Sequence, residues 1–309
     1  MHENAARLAD VVAIPVTPFT DGAVDFDDLR LVLDRMLDAG VRVLTPNGNT
    51  GEFYALRPDE RLQVLQAVAA HAAGRALIVA GVGFDTAPAI AAGLAAATAG
   101  AEMVMIHQPV HPYVSRAGWI DYHATIADAL PELGVVLYIR NPWVTGDMIA
   151  QLSTRCPNVV GVKYAVADPV MFARVKSAAP HLVWIAGLAE PYALSYFAHG
   201  ATGFTSGLVC VNPRLSLDLL RTLQAGDLSA ARRLTESISE FEELRALDSN
   251  ANNVSVIKEA LFQLGIGSKA VRPPSHAVDE ATSARVSRIL AEWSVEHELQ
   301  PSVDLAANA

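Results

Sequence analysis

Asn158-Val159-Val160-Gly161-Val162-Lys163 is an apolar run of β-forming residues that ends on a lysine, and a segment of helical character, 168–178, follows it. The couplet is one of a series. Apolar runs of strand length recur at 11–16, 41–46, 76–80, 102–107, 134–139, 159–163, 182–186 and 203–206. Between them, 25–39, 58–73, 87–99, 117–130, 145–155, 168–178 and 191–199 carry apolar residues at helical spacing. Arg57-Pro58-Asp59-Glu60 puts a proline and two acids into a first helical turn, and Gly40, Gly74, Gly100 and Gly200 follow four of the helical runs. Unbroken apolar strands alternating with helices predict a parallel sheet covered on both faces. Eight such units in roughly 225 residues predict a (β/α)8 barrel, spanning 8–225. The rival, an open doubly wound sheet, usually shows a glycine-rich phosphate loop after its first strand. Here Thr17-Pro18-Phe19-Thr20-Asp21-Gly22 follows instead and reads as a turn.

Beyond the eighth strand, helical patterns run at 212–224, 228–247, 253–264 and 279–298 with no linker-like stretch. Residues 226–300 are therefore predicted to form a C-terminal helical segment packed on the barrel, and 302–309 read as a frayed end. With 309 residues, 51% of them hydrophobic, the chain has ample material for a core. A net charge of −10 argues against nucleic acid or an anionic membrane surface as partner. No apolar run reaches about 18 residues, so no membrane span is predicted. Neither a secretory signal nor a CxxC spacing is seen; Cys156 and Cys210 read as reduced, partly buried thiols, and the expected location is cytoplasmic.

In barrels of this kind the C-terminal strand ends carry the chemistry. Lys163 stands at one. Only four of the 23 basic residues are lysine, the others being Lys176, Lys258 and Lys269. A lysine can lose its proton and attack a carbonyl carbon, which arginine cannot. The second strand ends in Asn47-Gly48-Asn49-Thr50-Gly51-Glu52-Phe53. Its two glycines allow a tight backbone that could hold a carboxylate, or simply make a βα turn. The fifth strand ends in Tyr138-Ile139-Arg140-Asn141-Pro142. A phenol beside Lys163 could carry protons and Arg140 could grip a second carboxylate; taken alone, the pair reads as a core aromatic and a surface arginine.

Together these strand ends resemble the dihydrodipicolinate synthase / N-acetylneuraminate lyase superfamily. The resemblance runs from Ile14-Pro15-Val16-Thr17-Pro18-Phe19 through Thr50-Gly51-Glu52, Ala80-Gly81-Val82-Gly83, Tyr138, Gly161-Val162-Lys163 and Gly203-Phe204-Thr205-Ser206-Gly207 to Val256-Ile257-Lys258-Glu259-Ala260 and Val271-Arg272-Pro273-Pro274. It implies that Lys163 forms an imine with a 2-keto acid and that Tyr138 carries protons, with no metal or other cofactor. Thr50, Asn49 and Gly51 would hold the keto acid's carboxylate. Arg140, Gly187 and Ser206 complete the expected substrate-binding set. A homotetramer is implied, with His111 and Tyr113 of the 108–116 loop as subunit-contact candidates.

The chain departs from the synthases at Asn49, where they carry a hydroxyl that belongs to a proton relay. Gly48-Asn49-Thr50-Gly51-Glu52-Phe53, Arg140 and Asn253-Val254-Ser255-Val256-Ile257-Lys258 resemble instead the sugar-acid branch of 5-dehydro-4-deoxyglucarate dehydratase, although Asn49, Ile139 and Tyr164 differ from it. The expected activity is a Schiff-base lyase that dehydrates or cleaves a 2-keto-3-deoxy sugar acid. A pyruvate-dependent aldolase or synthase, and a catalytically silent keto-acid-binding barrel, are the alternatives.

Overall fold

The computed structural model describes residues 4–296 and Leu299. Eight parallel strands close into a barrel: β1 (Val11–Ala13), β4 (Val43–Leu44), β5 (Leu77–Val82), β6 (Met103–Ile106), β7 (Gly134–Ile139), β8 (Val159–Tyr164), β9 (Val183–Ala186) and β10 (Gly203–Ser206). Each pairs with the next in the chain, and β10 returns to β1, so no strand edge is left free. All eight coincide with the apolar runs of the sequence. Strands β2 (Phe19–Thr20) and β3 (Ala23–Val24) form a small antiparallel hairpin where the sequence suggested only a turn.

Helices α1 (Phe26–Asp38), α2 (Pro58–Ala72), α3 (Thr86–Thr98), α4 (Arg116–Ala129), α5 (Gly146–Arg155), α6 (Pro169–Ala178), α7 (Glu190–Ala198) and α8 (Pro213–Gln224) ring the barrel. Several starts are fixed by side chains that satisfy the first free N–H groups. Asp25 accepts from Asp27 and Asp28 N–H, both at 3.0 Å, and Asp168 accepts from Met171 N–H at 2.8 Å. Pro58 and Pro169 occupy first-turn positions, where a missing N–H costs nothing.

The core has two compartments, as alternation along a strand requires. Val104, Leu137, Val162 and Phe204 point outward against the helices. Val12, Val79, Met103, Met105, Val136 and Ile185 fill the barrel. A 3-10 turn at Ala5–Leu8 closes its N-terminal end, with Leu8 fully buried. Sequence periodicity does not reveal a plug four residues long.

α8 ends at Gln224 and α9 (Leu228–Asn250) begins after a three-residue connection; α10 (Ser255–Gln263) and α11 (Glu280–Glu296) follow and pack on one another, with α9 against α7 and α8. Helical geometry in α9 breaks at Leu247, and Asp248 and Ser249 take φ of 49° and 59°. The sequence pattern ends this helix at 247 as well. The predicted frayed tail, 302–309, lies outside the described residues.

Candidate active site

Three consecutive strands deliver one side chain each to a single layer at the C-terminal end of the barrel. Tyr138 on β7 is in register with Lys163 on β8, and Ile106 on β6 pairs with Leu137, which brings His107 level with Tyr138. All three are nearly or fully buried. Lys163 Nζ lies 4.2 Å from the centre of the Tyr138 ring. The His107 ring meets Tyr138 edge-on at 5.8 Å and stacks on Phe53 at 4.1 Å.

Burial governs the ionisation of this layer. Desolvation lowers the Lys163 amine to about 7, with the nearby Arg140 charge pushing the same way. The amine is thus substantially neutral, and nucleophilic, near neutral pH. Desolvation raises the Tyr138 phenol to about 12, against the opposing pull of Arg140. Tyr138 therefore keeps its proton and can donate it. His107, fully buried, is lowered to about 3 and stays neutral.

The loop after β4 folds over this layer. Asn47 takes φ of 60°, its side chain donates to the Arg61 carbonyl at 2.9 Å, and its own carbonyl meets His107 Nε2 at 2.9 Å. Gly48 is required sterically, since a Cβ there would lie 2.5 Å from Ile14 Cγ2. Asn49–Gly51 form a 3-10 turn in which Gly51 N–H donates to the Gly48 carbonyl at 3.0 Å and the Gly51 carbonyl accepts from Thr17 Oγ1 at 2.8 Å. Thr50 is buried. Asn49 Nδ2 donates to the Tyr138 hydroxyl at 3.1 Å. Asn49 thus touches the Tyr138 phenol directly, where the synthase pattern places a hydroxyl.

Glu52, with φ of 60°, closes the loop by a buried ion pair to Lys258 of α10. Its other oxygen accepts from Arg272 N–H at 2.9 Å, while Lys258 also donates to the Ala270 carbonyl at 2.8 Å. Arg272 in turn holds Glu60 bidentately at 2.6 and 2.7 Å. The C-terminal segment therefore clamps the loop that carries Asn49 and Thr50.

Arg140 follows β7 and is exposed, close enough for its charge to act on Lys163, Tyr138 and His107. With its amide oxygen turned inward, Gln108 accepts from the Arg140 and Asn141 N–H groups at 2.8 and 3.0 Å, fixing the loop end. Gly187 N–H donates to the Tyr164 carbonyl at 2.7 Å, and a Cβ at Gly187 would sit 2.8 Å from that oxygen.

Ser206 departs from its expected substrate-facing place. Alternation from outward-facing Phe204 turns it outward too, and its hydroxyl contacts Glu190 at 2.5 Å and Ser216 at 3.2 Å, at the bases of α7 and α8. It serves helix packing around a buried carboxyl whose pKa desolvation raises to about 7. His111 and Tyr113 sit on an exposed loop, Tyr113 86% accessible, with His111 Nδ1 receiving the Tyr113 N–H at 3.1 Å. Within this chain they do not join the Lys163 layer.

Sequence reading missed His107, Phe53 and the Glu52–Lys258 pair. The signal for His107 was present: Met103, Met105 and His107 share one parity, the face that fills the barrel. The Glu52–Lys258 contact spans 206 positions and leaves no local trace.

The model of the dihydrodipicolinate synthetase family matches residues 7–293. This chain belongs to that family. It is 31% identical to a probable 5-dehydro-4-deoxyglucarate dehydratase of Methylobacterium radiotolerans, over 91% of this chain and 94% of the relative. It is 29% identical to a 4-hydroxy-tetrahydrodipicolinate synthase of a Jannaschia species, over 89% and 94%. Among solved structures, the dihydrodipicolinate synthase of Oceanobacillus iheyensis superposes with a TM-score of 0.91 at 36% identity, covering 95% of this chain and 99% of that one. Family membership makes the chain an enzyme of the lyase class and its fold the (β/α)8 barrel. Among the described residues no helix is long and apolar enough to cross a membrane.

Proposed function

We propose that this protein is a class I lyase that binds a 2-keto-3-deoxy sugar acid as an imine of Lys163. It then either eliminates water or cleaves the adjacent C–C bond. The observation that carries the reading is the buried Lys163 amine, lowered to about 7 and so partly neutral near neutral pH, in register with a protonated Tyr138. The amine attacks the C2 ketone, and Tyr138 donates a proton as water leaves C2. The imine acidifies C3. Loss of a C3 proton gives an enamine, whose electron pair can expel the C4 hydroxyl as water. Alternatively, the imine accepts the electrons of the C3–C4 bond while the C4 hydroxyl loses its proton, releasing an aldehyde. Thr50 and its turn face the 2-keto carboxylate, and Arg140 reads the distal end. Relatives named as sugar-acid dehydratases and Arg140 beside the lysine favour this substrate class. The synthases among the relatives support pyruvate-dependent condensation as the second reading. In solution the chain would form a homotetramer with the 108–116 loop at a subunit contact, and would work in the cytoplasm.

Sodium borohydride reduction with pyruvate, followed by intact mass and peptide mapping, tests imine formation. The expected product carries the adduct on the Lys163 peptide; a label elsewhere overturns the assignment. A panel of 2-keto-3-deoxy sugar acids, assayed in parallel for water loss and pyruvate release, separates dehydration from cleavage.

A further inference from the structure

His107 reaches across β5 because β5 has a glycine beneath it. A Cβ at Gly81 would lie 2.0 Å from the Asn47 carbonyl oxygen and 3.0 Å from His107 Nε2. Gly81 therefore opens the path by which His107 meets that carbonyl at 2.9 Å. A carbonyl only accepts, so Nε2 carries the ring proton and Nδ1 is left with a lone pair. Nδ1 is fully buried and has no partner. A second acceptor, Asn49 Oδ1, is likewise buried and unpartnered, on a side chain whose Nδ2 is committed to Tyr138. Both residues approach Tyr138, Asn49 from the loop after β4 and His107 from the end of β6. A buried acceptor without a donor is costly, and a hydroxyl-bearing ligand supplies the donors.

We propose that His107 is a specificity-determining residue whose Nδ1 accepts a hydrogen bond from a hydroxyl of the substrate held on Lys163, with Asn49 Oδ1 accepting from a second. This rests on the imine reading above and narrows it to polyhydroxy 2-keto acids. Pyruvate, with no hydroxyl, gains nothing from either acceptor. Stacking on Phe53 and the Asn47 carbonyl hold the ring in place, so the acceptor is fixed before the ligand arrives.

Two amide replacements separate the two ring nitrogens. His107→Asn keeps an oxygen near the Nδ1 position, while His107→Gln keeps a donor near Nε2 and loses the acceptor. For each, two quantities are measured: kcat/KM on the 2-keto-3-deoxy sugar acid that the wild type uses best, and the rate of borohydride trapping with pyruvate. His107→Gln should lose roughly 10- to 100-fold on the sugar acid, the order of one lost hydrogen bond in a dry site, and should lose less in pyruvate trapping, so that the ratio of the two rates falls by about tenfold. His107→Asn should retain most of the sugar-acid preference. Phe53→Leu removes the ring stack but neither nitrogen, and should leave the ratio of the two rates near the wild-type value. Parallel losses on both compounds in His107→Gln, or an unchanged ratio, overturn the proposal and leave His107 as a loop anchor. Absence of trapping in the wild type itself overturns the imine reading, and this role with it.

Discussion

Asn49 donates its amide N–H to the Tyr138 hydroxyl across 3.1 Å. A carboxamide is neither an acid nor a base near neutral pH, so Asn49 cannot pass a proton onward as a hydroxyl could. It can orient the phenol and stabilise any negative charge on its oxygen, and the bond draws the Tyr138 pKa down against the larger effect of burial. Asn49→Ala should slow imine formation roughly 10-fold, as one hydrogen bond of about 1.4 kcal/mol is lost. Asn49→Thr should restore part of that rate. Stopped-flow trapping with pyruvate measures both; an unchanged rate in Asn49→Ala would show that Tyr138 does not depend on this contact.

Lys163 sets the pH dependence. Its folded pKa of about 7 lies well below that of a free lysine, because the dry barrel disfavours the charge. The rate of trapping with pyruvate should climb between about pH 6 and 8 and then level off, where an exposed lysine would still be climbing at pH 10. Stability follows with a defined sign. Between the folded and unfolded pKa values the unfolded chain binds the extra proton, so stability rises with pH across that window. Below pH 7 the burial cost is complete. Lys163→Met should therefore raise Tm by several degrees near pH 6, and the gain should shrink towards pH 10 (roughly 2–4 °C per kcal/mol at this chain size). A gain independent of pH would show that the amine is not depressed.

Turnover should separate the roles of the layer. Lys163→Arg should abolish trapping as completely as Lys163→Ala, since a guanidinium keeps its proton. Tyr138→Phe should preserve the fold and permit slow trapping, with turnover lower by about 10²–10⁴, the range for a positioned proton carrier. Arg140→Ala should reduce kcat/KM on a sugar acid by roughly 10- to 200-fold while pyruvate still forms the imine. Loss of pyruvate binding in Arg140→Ala would place the 2-keto carboxylate on Arg140 instead.

The barrel was legible because each strand is buried on both faces and reads as an unbroken apolar run, and because signals such as Pro58 in the first turn of α2 act within a few residues. Lys163, Tyr138 and Thr50 entered the proposed site because they stand at or just after C-terminal strand ends, where barrels of this kind carry their chemistry. Ser206 was misplaced by one parity step: the serine stands at a strand end, but the barrel turns its hydroxyl towards Glu190. Phe53 and His107 are stacked from sites 54 positions apart, and nothing local in either segment encodes that contact. The plug at Ala5–Leu8 escaped for the same reason, since the residues it packs against, Gly161 and Gly203 among them, lie far along the chain.

The proposed tetramer has a direct check. Tyr113 is almost wholly exposed and Val110 58% exposed, on a loop stiffened by Pro109 and Pro112. Light scattering at micromolar concentration should return four times the chain mass of 32.8 kDa. Tyr113→Glu should lower it if the loop lies at a subunit contact; a monomeric wild type removes the proposal.

The Glu52–Lys258 pair predicts coupling between the C-terminal helices and the loop that carries Asn49 and Thr50. Both side chains are buried, 4% and 2% accessible, and Lys258 also lies 4.1 Å from the centre of the Phe19 ring. Burial alone would drive the Lys258 proton off, and Glu52 opposes that. Removing one partner strands the other charge in a dry site, which costs about 3–5 kcal/mol. Lys258→Met should accordingly lower Tm by on the order of 10 °C. Glu52→Gln should do less harm, since its amide still accepts from Arg272 N–H. The double variant should recover much of the loss, because no unpaired charge remains. Even when folded, Lys258→Met should raise KM for the keto acid, because the αL turn at Glu52 loses one of its two anchors and Asn49 and Thr50 ride on that turn. Thermal unfolding of the three variants and steady-state kinetics of the single ones decide the matter: a double variant no more stable than Lys258→Met, or an unchanged KM, would mean that the pair neither carries charge balance nor holds the loop.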